Sequence, residues 1–208
     1  MAMKSTLLEL TQAILSSMQG DAITSISDTE ESTAVALIIK ENYFYITGKA
    51  DLPEHKELFT LTETSSSTPV VMTPPSTFTT LEWLKYNNIL EDSEGETNNN
   101  FQFVNYMNSK DFLTMQEGLD SDESFVESMD YTIGSNTIKF KYKTNQMPQW
   151  YTTWDDNTIL FDALDVTEDT FLRTTKVLAY GLLDPIWTHS DSFTPDLHPT
   201  QFAYYINR

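Results

Sequence analysis

Residues 6–48 read TLLELTQAILSSMQGDAITSISDTEESTAVALIIKENYFYITG, and this stretch decides the expected fold. Its beginning predicts an amphipathic helix. Thr6 and Glu9 form a capping box, in which each side chain satisfies the backbone N–H of the other, so the helix should begin at Leu7. Its apolar residues recur at helical spacing. Gly20 suits the left-handed position at a helix end, so we expect the helix to end there.

The end of the same stretch predicts a second helix. Residues 27–30, SDTE, offer another capping box, and Gly48 provides the stop. The apolar residues between them again follow helical spacing: Ala34, Val35, Ile38, Ile39, Tyr43 and Ile46. Two helices of this kind bury their apolar faces fully only if a third element covers them, so we expect one to return from elsewhere in the chain.

The middle of the chain, residues 49–165, has the composition of strands and loops. Runs rich in Thr, Phe, Leu and Trp alternate partially, and Ser/Thr/Pro or acidic stretches separate them. A hairpin is predicted around Gly134, a loop at 91–100, and a short helix at 109–115 that ends near Gly118. The predicted strands of this sheet are 58–62, 77–86, 101–104, 131–133, 137–142 and 158–161.

The last part, residues 166–208, is predicted to be helical. Thr167 can cap a helix that Pro185 stops, and a final helix begins at Asp196. The final helix carries Phe202, Tyr205 and Ile206 on one face, with Pro199 in its first turn. The expected fold class is therefore α+β: an antiparallel helical bundle, built from the N-terminal hairpin 1–48 and the C-terminal helices 166–208, with a mostly antiparallel β region 49–165 inserted.

Charge and composition restrict the function classes. The 31 acidic and 12 basic residues give a formal net charge of -19. Such a surface repels polyphosphate, which argues against sequence-specific DNA binding. The acidity either keeps the surface solvated or lines a channel through which DNA slides. The chain has no cysteine, no signal-peptide pattern and no apolar run long enough for a bilayer, so we expect neither disulfides nor membrane insertion.

The sequence offers little support for catalysis. His55, His189 and His198 do not share the spacing of a metal site, and the six glycines form no phosphate-binding pattern. The pair Asp120 and Asp122 starts like a calcium loop, but the later ligand positions of that loop do not match. We therefore expect no enzyme activity, no cofactor and no metal.

The aromatic and acidic block 150–156, WYTTWDD, allows two interpretations. Its large rings pack in a core or a subunit contact, or they form a platform for sugars beside the carboxylates of Asp155 and Asp156. The second interpretation makes the chain a carbohydrate- or receptor-binding tail protein. A third possibility is a small acidic inhibitor that mimics DNA and binds a basic host protein.

The chain resembles the head-to-tail adaptor proteins of short-tailed bacteriophages, also called tail tubular protein A. The resemblance follows the family's order over nearly the whole chain. Five segments carry it. They are the N-terminal helices (5–46), a stretch punctuated by prolines (68–74) and the strand that follows it (83–86), the aromatic and acidic block (148–162) and the residues that lead into the late helix (193–197).

This resemblance implies a structural virion protein, made in the host cytoplasm. A ring of twelve copies would dock beneath the portal protein, extend the DNA channel and bind a downstream nozzle or tube protein. It also implies a longer late helix, so the chain is either truncated at Arg208 or ends early. We expect weak self-association without the portal, and deleting residues 199–208 should abolish portal binding if they order on contact. The expected portal or subunit contacts are Phe202, Tyr205, Ile206, Trp150 and Trp154, and the expected channel residues are Asp120, Asp122, Glu123, Asp155 and Asp156.

Overall fold

The computed structural model describes residues 4–49, 52–91, 97–155 and 157–197. The chain divides into two compact units. The helical unit comprises Met1–Lys56 and Asp184–Arg208, and the sheet unit comprises Glu57–Leu183.

The helical unit contains two α-helices in its described part, α1 (Leu7–Ser17) and α2 (Glu30–Lys49), followed by a 3-10 turn at Pro53–His55. The first capping box is confirmed: the Thr6 hydroxyl accepts from the Glu9 N–H at 3.2 Å, and Glu9 Oε2 accepts from the Thr6 N–H at 2.9 Å. Both helices expected from the N-terminal sequence are thus present.

Two helix ends differ from the sequence expectation. The left-handed residue after α1 is Gln19, with φ 60°, and Gly20 follows it, donating its N–H to the Leu15 carbonyl at 2.8 Å. This is the hydrogen bond that closes a Schellman motif. The second capping box is shifted by two residues: Thr29 and Ser32 exchange hydroxyl and N–H groups, each at 3.0 Å. Serine at the third position closes this box in place of glutamate.

An irregular segment with turns, residues 184–197, is the third element that covers the two helices. Its Phe193 carbonyl accepts from the N–H of Leu7 at 2.7 Å, and Asp191 Oδ1 accepts from the N–H of Ile26 at 2.8 Å. Leu197 is fully buried, and Trp187 and Phe193 pack partly buried against the same cluster. The core of the unit also contains Leu7, Leu15, Ile23, Ile26, Val35, Ala36, Ile39, Tyr43, Ile46 and Leu52.

Most of the sheet unit is one eight-stranded mixed sheet with the order β1-β10-β4-β5-β8-β9-β3-β2. Neighbouring strands are antiparallel at most junctions, and β5 pairs with β8 in parallel. The strands are β1 (Lys56–Phe59), β2 (Thr62–Glu63), β3 (Val71–Thr73), β4 (Phe78–Glu91), β5 (Thr97–Tyr106), β8 (Trp150–Asp155), β9 (Thr158–Phe161) and β10 (Val177–Leu183).

A separate hairpin and one helix complete this unit. Strands β6 (Val126–Ile133) and β7 (Asn136–Lys143) pair over their whole length. The turn between them has two residues, and its first, Gly134, has φ 60°, as a type II′ turn requires. Helix α3 (Ser109–Glu117) begins at Asn108, whose side chain accepts from the Asp111 N–H at 3.0 Å. The hairpin and the short helix were both expected from the sequence.

The core of the sheet unit lies between the large sheet, the hairpin and α3. Phe112 of α3 stacks on Phe140 of β7 with ring centroids 5.7 Å apart. The ring of Trp154 in β8 meets Phe140 edge-on at 6.4 Å. One continuous apolar cluster therefore joins all three elements and includes Leu84, Val104, Tyr151, Leu160 and Phe161.

The expected fold class is wrong. Among the described residues the molecule has ten strands and three α-helices, and the sheet, rather than a helical bundle, is its main element. The predicted helix from Thr167 to Pro185 contains instead a 3-10 turn (Thr174–Lys176) and strand β10, which pairs antiparallel with β4. The predicted final helix, with Phe202, Tyr205 and Ile206, lies outside the described residues.

Backbone geometry explains why β10 is a strand. Its buried residues are Val177, Ala179 and Gly181, an alternation with the period of a strand. The register with β4 shifts between Tyr180 and Gly181. At that shift a Cβ on Gly181 would stand 2.1 Å from the carbonyl oxygen of Thr80, so only glycine fits the close approach of the two strands.

Candidate functional site

Helix α2 has apolar side chains on both of its sides. One side is buried in the helical unit, where Val35, Ile39 and Tyr43 lie in the core. The other side, here called the outer face of α2, comprises Ala34, Leu37, Ile38, Glu41, Phe44, Tyr45 and Gly48, all exposed, and the polar Asn42 and Lys49 are exposed along its edge. Helical spacing of three and four residues places them in one stripe along the helix.

The apolar side chains of this stripe are too large and too close together to be explained as single exposed residues. Leu37 is 47% exposed, Ile38 54%, Phe44 40% and Tyr45 59%. Complete burial of such a side chain stabilises by about 1.5–3 kcal/mol, so burying the exposed half of four of them would contribute roughly 3–6 kcal/mol before the costs of association. A contiguous apolar surface of this kind typically marks an interaction site.

The aromatic residues of this face are held in place by their neighbours. Phe44 contacts Tyr43 with ring centroids 5.6 Å apart and Trp187 at 6.4 Å. Trp187 in turn packs against Phe193 at 4.7 Å. The Tyr45 hydroxyl accepts from Lys49 Nζ at 2.6 Å. The face is therefore an ordered surface, which lowers the entropy lost when a partner binds.

Tyr43 connects this helix to the end of the described chain. Burial, together with the nearby charge of Asp196, raises the pKa of Tyr43 to about 12. The backbone carbonyl oxygen of Asp196 lies 2.8 Å from His55 Nε2, and the side-chain carboxylate of Asp196 pairs with Lys4. Asp196 thus lies among residues from both ends of the helical unit. This arrangement could not be predicted from the sequence, because the three partners of Asp196 are far apart along the chain.

A second exposed group of aromatic side chains lies on the large sheet. Trp83 of β4 stacks on Tyr180 of β10 at 5.4 Å, and Phe103 of β5 meets Trp83 edge-on at 6.3 Å. Phe103 is 59% exposed, and Lys85 Nζ lies 4.4 Å from its ring centre. Cross-strand pairing brings these side chains together, so their contacts stabilise the sheet while the exposed parts of their rings form its surface.

The aromatic residues singled out in the sequence lie elsewhere. Trp150 and Trp154 are partly buried and pack against the core of the sheet unit. Trp154 contacts Tyr131 at 5.7 Å, besides its contact with Phe140. Their placement matches the interpretation of this block as packing. The ring of Phe103, which the sequence analysis did not single out as a site residue, is 59% exposed and therefore more accessible than either tryptophan.

The acidic residues proposed for a channel occupy two separate turns. Asp120, Asp122 and Glu123 are exposed between α3 and β6, where Asp120 Oδ1 accepts from the Asp122 N–H at 3.0 Å. Asp155 is exposed at the end of β8 and accepts from the N–H of Thr158 at 2.7 Å. Each turn is thus organised by a carboxylate that accepts from the backbone. Asp156 lies outside the described residues.

Asp162, at the end of β9, is a buried carboxylate. Its Oδ1 accepts from the N–H of Gln149 at 2.9 Å and of Trp150 at 3.0 Å. Burial raises the pKa of Asp162, while these hydrogen bonds and the charge of Lys143 oppose the rise. The carboxylate lines a cavity of about 90 Å³ together with Gln116 and Lys143. Such a polar cavity suits ordered water, and the two backbone bonds give Asp162 a structural role in fixing the start of β8.

Across the described ranges, no group of three or more His, Asp or Glu residues is arranged to hold a metal ion. His55 packs against Tyr43 at 6.1 Å and bonds to the backbone of Asp196. None of the helices in the described residues is long and apolar enough to cross a bilayer. The outer face of α2 is the strongest candidate for a functional surface.

Comparisons with known proteins add no family: neither the scan against family models nor the search of curated proteins gives a match to this chain.

Proposed function

We propose that this chain is a structural subunit that assembles through the outer face of α2. The observation that carries the proposal is the second apolar side of this helix, with Leu37, Ile38, Phe44 and Tyr45 exposed in one stripe. Apolar area of this extent is costly in water and gains free energy when a partner covers it. The surface is ordered before binding, which suits a permanent structural contact.

The specific assembly that we propose is the head-to-tail adaptor ring of a short-tailed bacteriophage. It is supported by the sequence resemblance, which keeps the family's order along the chain, and by the net charge of -19, which suits a wall past which DNA slides. Because the described residues form mainly a sheet and no helical bundle, the proposal places the main contact on α2 and assigns the channel carboxylates to the sheet unit. The partners would be the portal protein, a downstream nozzle or tube protein and neighbouring copies.

The acidic turns have a place in this proposal. Exposed carboxylates at Asp120, Asp122, Glu123 and Asp155 would face the DNA in the ring. They would repel phosphates and prevent the duplex from adhering to the wall. A ring of this kind forms only if the rotation between neighbouring copies closes, and the virion contains the ring in the neck between capsid and tail.

The test is electron microscopy of the protein mixed with the portal encoded by the same genome. We expect rings at the narrow end of the portal for the natural chain. Ile38→Glu places a charge in the outer face of α2 and should abolish the rings. The matched control is Ile186→Glu, because Ile186 is 71% exposed in the same unit but lies outside this face.

The result that would refute the assembly surface is ring formation by Ile38→Glu at the level of the natural chain. Loss of rings by both variants would point to general damage, and circular dichroism of each variant separates that case. Absence of binding by the folded natural chain would refute the adaptor proposal itself.

A further inference from the structure

The outer face of α2 carries one acidic and one basic side chain. Glu41 lies in the middle of the stripe, and Lys49 lies along its edge at the C-terminal end. Lys49 turns back over Tyr45, with its Nζ 2.6 Å from the Tyr45 hydroxyl and 4.2 Å from the ring centre. Within the described ranges, neither Glu41 nor Lys49 forms a salt bridge. The face therefore offers a partner both an acceptor and a donor of charge-assisted hydrogen bonds.

Gly48 leaves a hollow in the same face. A Cβ on Gly48 would have no atom within 4 Å, so close packing does not require a glycine there. Its backbone also lacks the left-handed conformation that favours glycine. The missing side chain leaves room at one end of the stripe, into which a branched side chain of a partner can pack.

The stripe is complementary to itself in one arrangement. Ile38, Glu41, Tyr45 and Gly48 follow one another at alternating spacings of three and four residues, as along the seam of two packed helices. In the arrangement considered, two copies of α2 run antiparallel and their two-fold axis passes at the level of Tyr43. Ile38 of one copy then lies opposite Gly48 of the other, and Glu41 lies opposite Tyr45.

The same arrangement pairs the two charges. Glu41 of one copy meets the Tyr45 hydroxyl and the Lys49 ammonium of the other, and two-fold symmetry makes this contact twice. Parallel helices in register would instead place the two Glu41 carboxylates together, and so would an antiparallel pair centred on Glu41. Like charges at that distance repel each other. An antiparallel pair shifted by one layer would place Glu41 against Ile38, where the carboxylate finds no donor. The charges therefore favour one direction and one register.

We propose that the free subunit forms a two-fold, antiparallel dimer through the outer face of α2, held by two Glu41–Lys49 pairs between the copies. The exposed halves of four large side chains and the smaller residues between them amount to roughly 500 Å² per copy. A total of about 1,000 Å² lies at the lower limit of specific interfaces. The net charge of -19 on each copy adds repulsion, so the dimer is weak and reversible.

The consequence for assembly rests on the proposed function. A two-fold contact is complete with two copies, whereas a ring needs heterologous contacts that continue from copy to copy. The outer face of α2 cannot serve both contacts at once. The dimer therefore holds free subunits in a form that cannot join a ring, and it opens when the portal or a ring neighbour binds α2.

The first test measures the dissociation constant of the dimer by sedimentation equilibrium of the full chain. Glu41→Lys and Lys49→Glu each place like charges together between the copies, and each should weaken the dimer at least about tenfold. The double variant restores opposite charges and should return the constant to within about threefold of the natural value. Within one copy the two residues are eight positions apart and do not contact each other. Matched controls are Glu57→Lys and Lys110→Glu, which change the net charge equally at exposed positions elsewhere and should leave the constant unchanged.

Three results of this test would overturn the proposal. The first is a natural chain that stays monomeric up to about 1 mM. The second is a double variant that is folded by circular dichroism yet associates as weakly as the single variants. The third is growth beyond two copies, which would show that the contact is heterologous.

A crosslinking test determines the direction of the helices, and the chain has no natural cysteine to interfere. In the proposed register the two copies of Asn42, at the edge of the face, are offset by about 3 Å along the helices. The two copies of Ala34 are offset by roughly 27 Å. A short bifunctional thiol reagent should therefore link Asn42→Cys into a dimer and leave Ala34→Cys unlinked. Equal linking at both positions, or linking at Ala34 alone, would overturn the antiparallel register.

These outcomes are separate from the fate of the adaptor proposal. Rings on the portal from a natural chain that stays monomeric alone would leave the proposed function standing and remove the dimer. A dimer that passes both tests but shows no portal binding would remain, and the adaptor proposal would be refuted.

Discussion

Replacing Gly181 with alanine tests the fold where the sequence and the structure disagree most. In the structure the new Cβ would lie 2.1 Å from the Thr80 carbonyl oxygen and 3.1 Å from the Cα of Leu81. Both atoms belong to the backbone of β4, so relief requires the two strands to separate by about 1 Å, which a close-packed interior resists. Overpacking of this kind typically costs 1–3 kcal/mol, and we expect about 3 kcal/mol or more because the obstacle is backbone.

The helix expected for the same residues predicts the opposite sign. In a helix interior, glycine is about 1 kcal/mol less favourable than alanine, so Gly181→Ala would then stabilise the protein. The matched control is Gly134→Ala. Gly134 has φ 60° but no atom within 4 Å of the added Cβ, so it should cost only the left-handed strain of roughly 1–2 kcal/mol.

The assay is urea unfolding followed by tryptophan fluorescence in a Trp187→Phe background. The three remaining tryptophans, Trp83, Trp150 and Trp154, all lie in the sheet unit, so the signal reports that unit alone. A loss of about 3 kcal/mol for Gly181→Ala lowers the urea midpoint by roughly 1–3 M. A Gly181→Ala variant as stable as the natural chain, or more stable, would refute the register between β4 and β10.

Three further substitutions test local contacts. Asp162→Asn keeps an oxygen for the two backbone N–H groups and removes the buried charge. Because folding raises the pKa of Asp162, the natural chain should lose stability relative to Asp162→Asn as the pH rises above 3.8, and urea titrations at several pH values measure this difference. Thr6→Ala should destabilise the helical unit by about 1 kcal/mol through loss of the cap on the Glu9 N–H, whereas unchanged thermal unfolding of helical circular dichroism would argue against the cap. Gln19→Gly should stabilise the same unit by up to about 1 kcal/mol because φ is 60° there, and a decrease in stability would contradict this geometry.

The sequence predicted the helical hairpin well because its signals are local. The reciprocal bonds of Thr6 and Glu9 can be recognised from four adjacent residues, and the structure contains them. The need for a third element was also sound, since the apolar stripes of α1 and α2 exceed what two helices bury together. The form of this element was not predictable, because the covering residues 184–197 are irregular, contain turns and have no apolar periodicity.

Strand β10 was missed because its apolar residues fit two periods. Leu178, Ala179 and Leu182 recur as on a helix, yet the buried positions are Val177, Ala179 and Gly181. Long-range pairing with β4, more than 90 residues earlier in the chain, favours the strand over the helix. Gly181 was the local sign, since glycine within an apolar run indicates either a weak helix or a bulge.

The surface on α2 illustrates a different limit. Ile38 and Ile39 are adjacent and chemically alike, but Ile39 is buried and Ile38 is 54% exposed. The sequence analysis assigned both to the core, because a wide apolar arc does not reveal where one face ends. The packing of α1 and of residues 184–197 against α2 determines which of its apolar side chains are buried and which stay exposed.

The two outermost strands of the large sheet have a consequence for the evolution of the assembly. They are β1, with four residues, and β2, with two, so the two ends of the strand order offer few backbone groups to which another strand could add. Growth by edge-to-edge pairing would be nearly independent of side-chain identity. In the assembly that we propose, recognition would instead depend on side chains, so a few substitutions on α2 could redirect the protein to a different partner while these sheet ends stay unchanged.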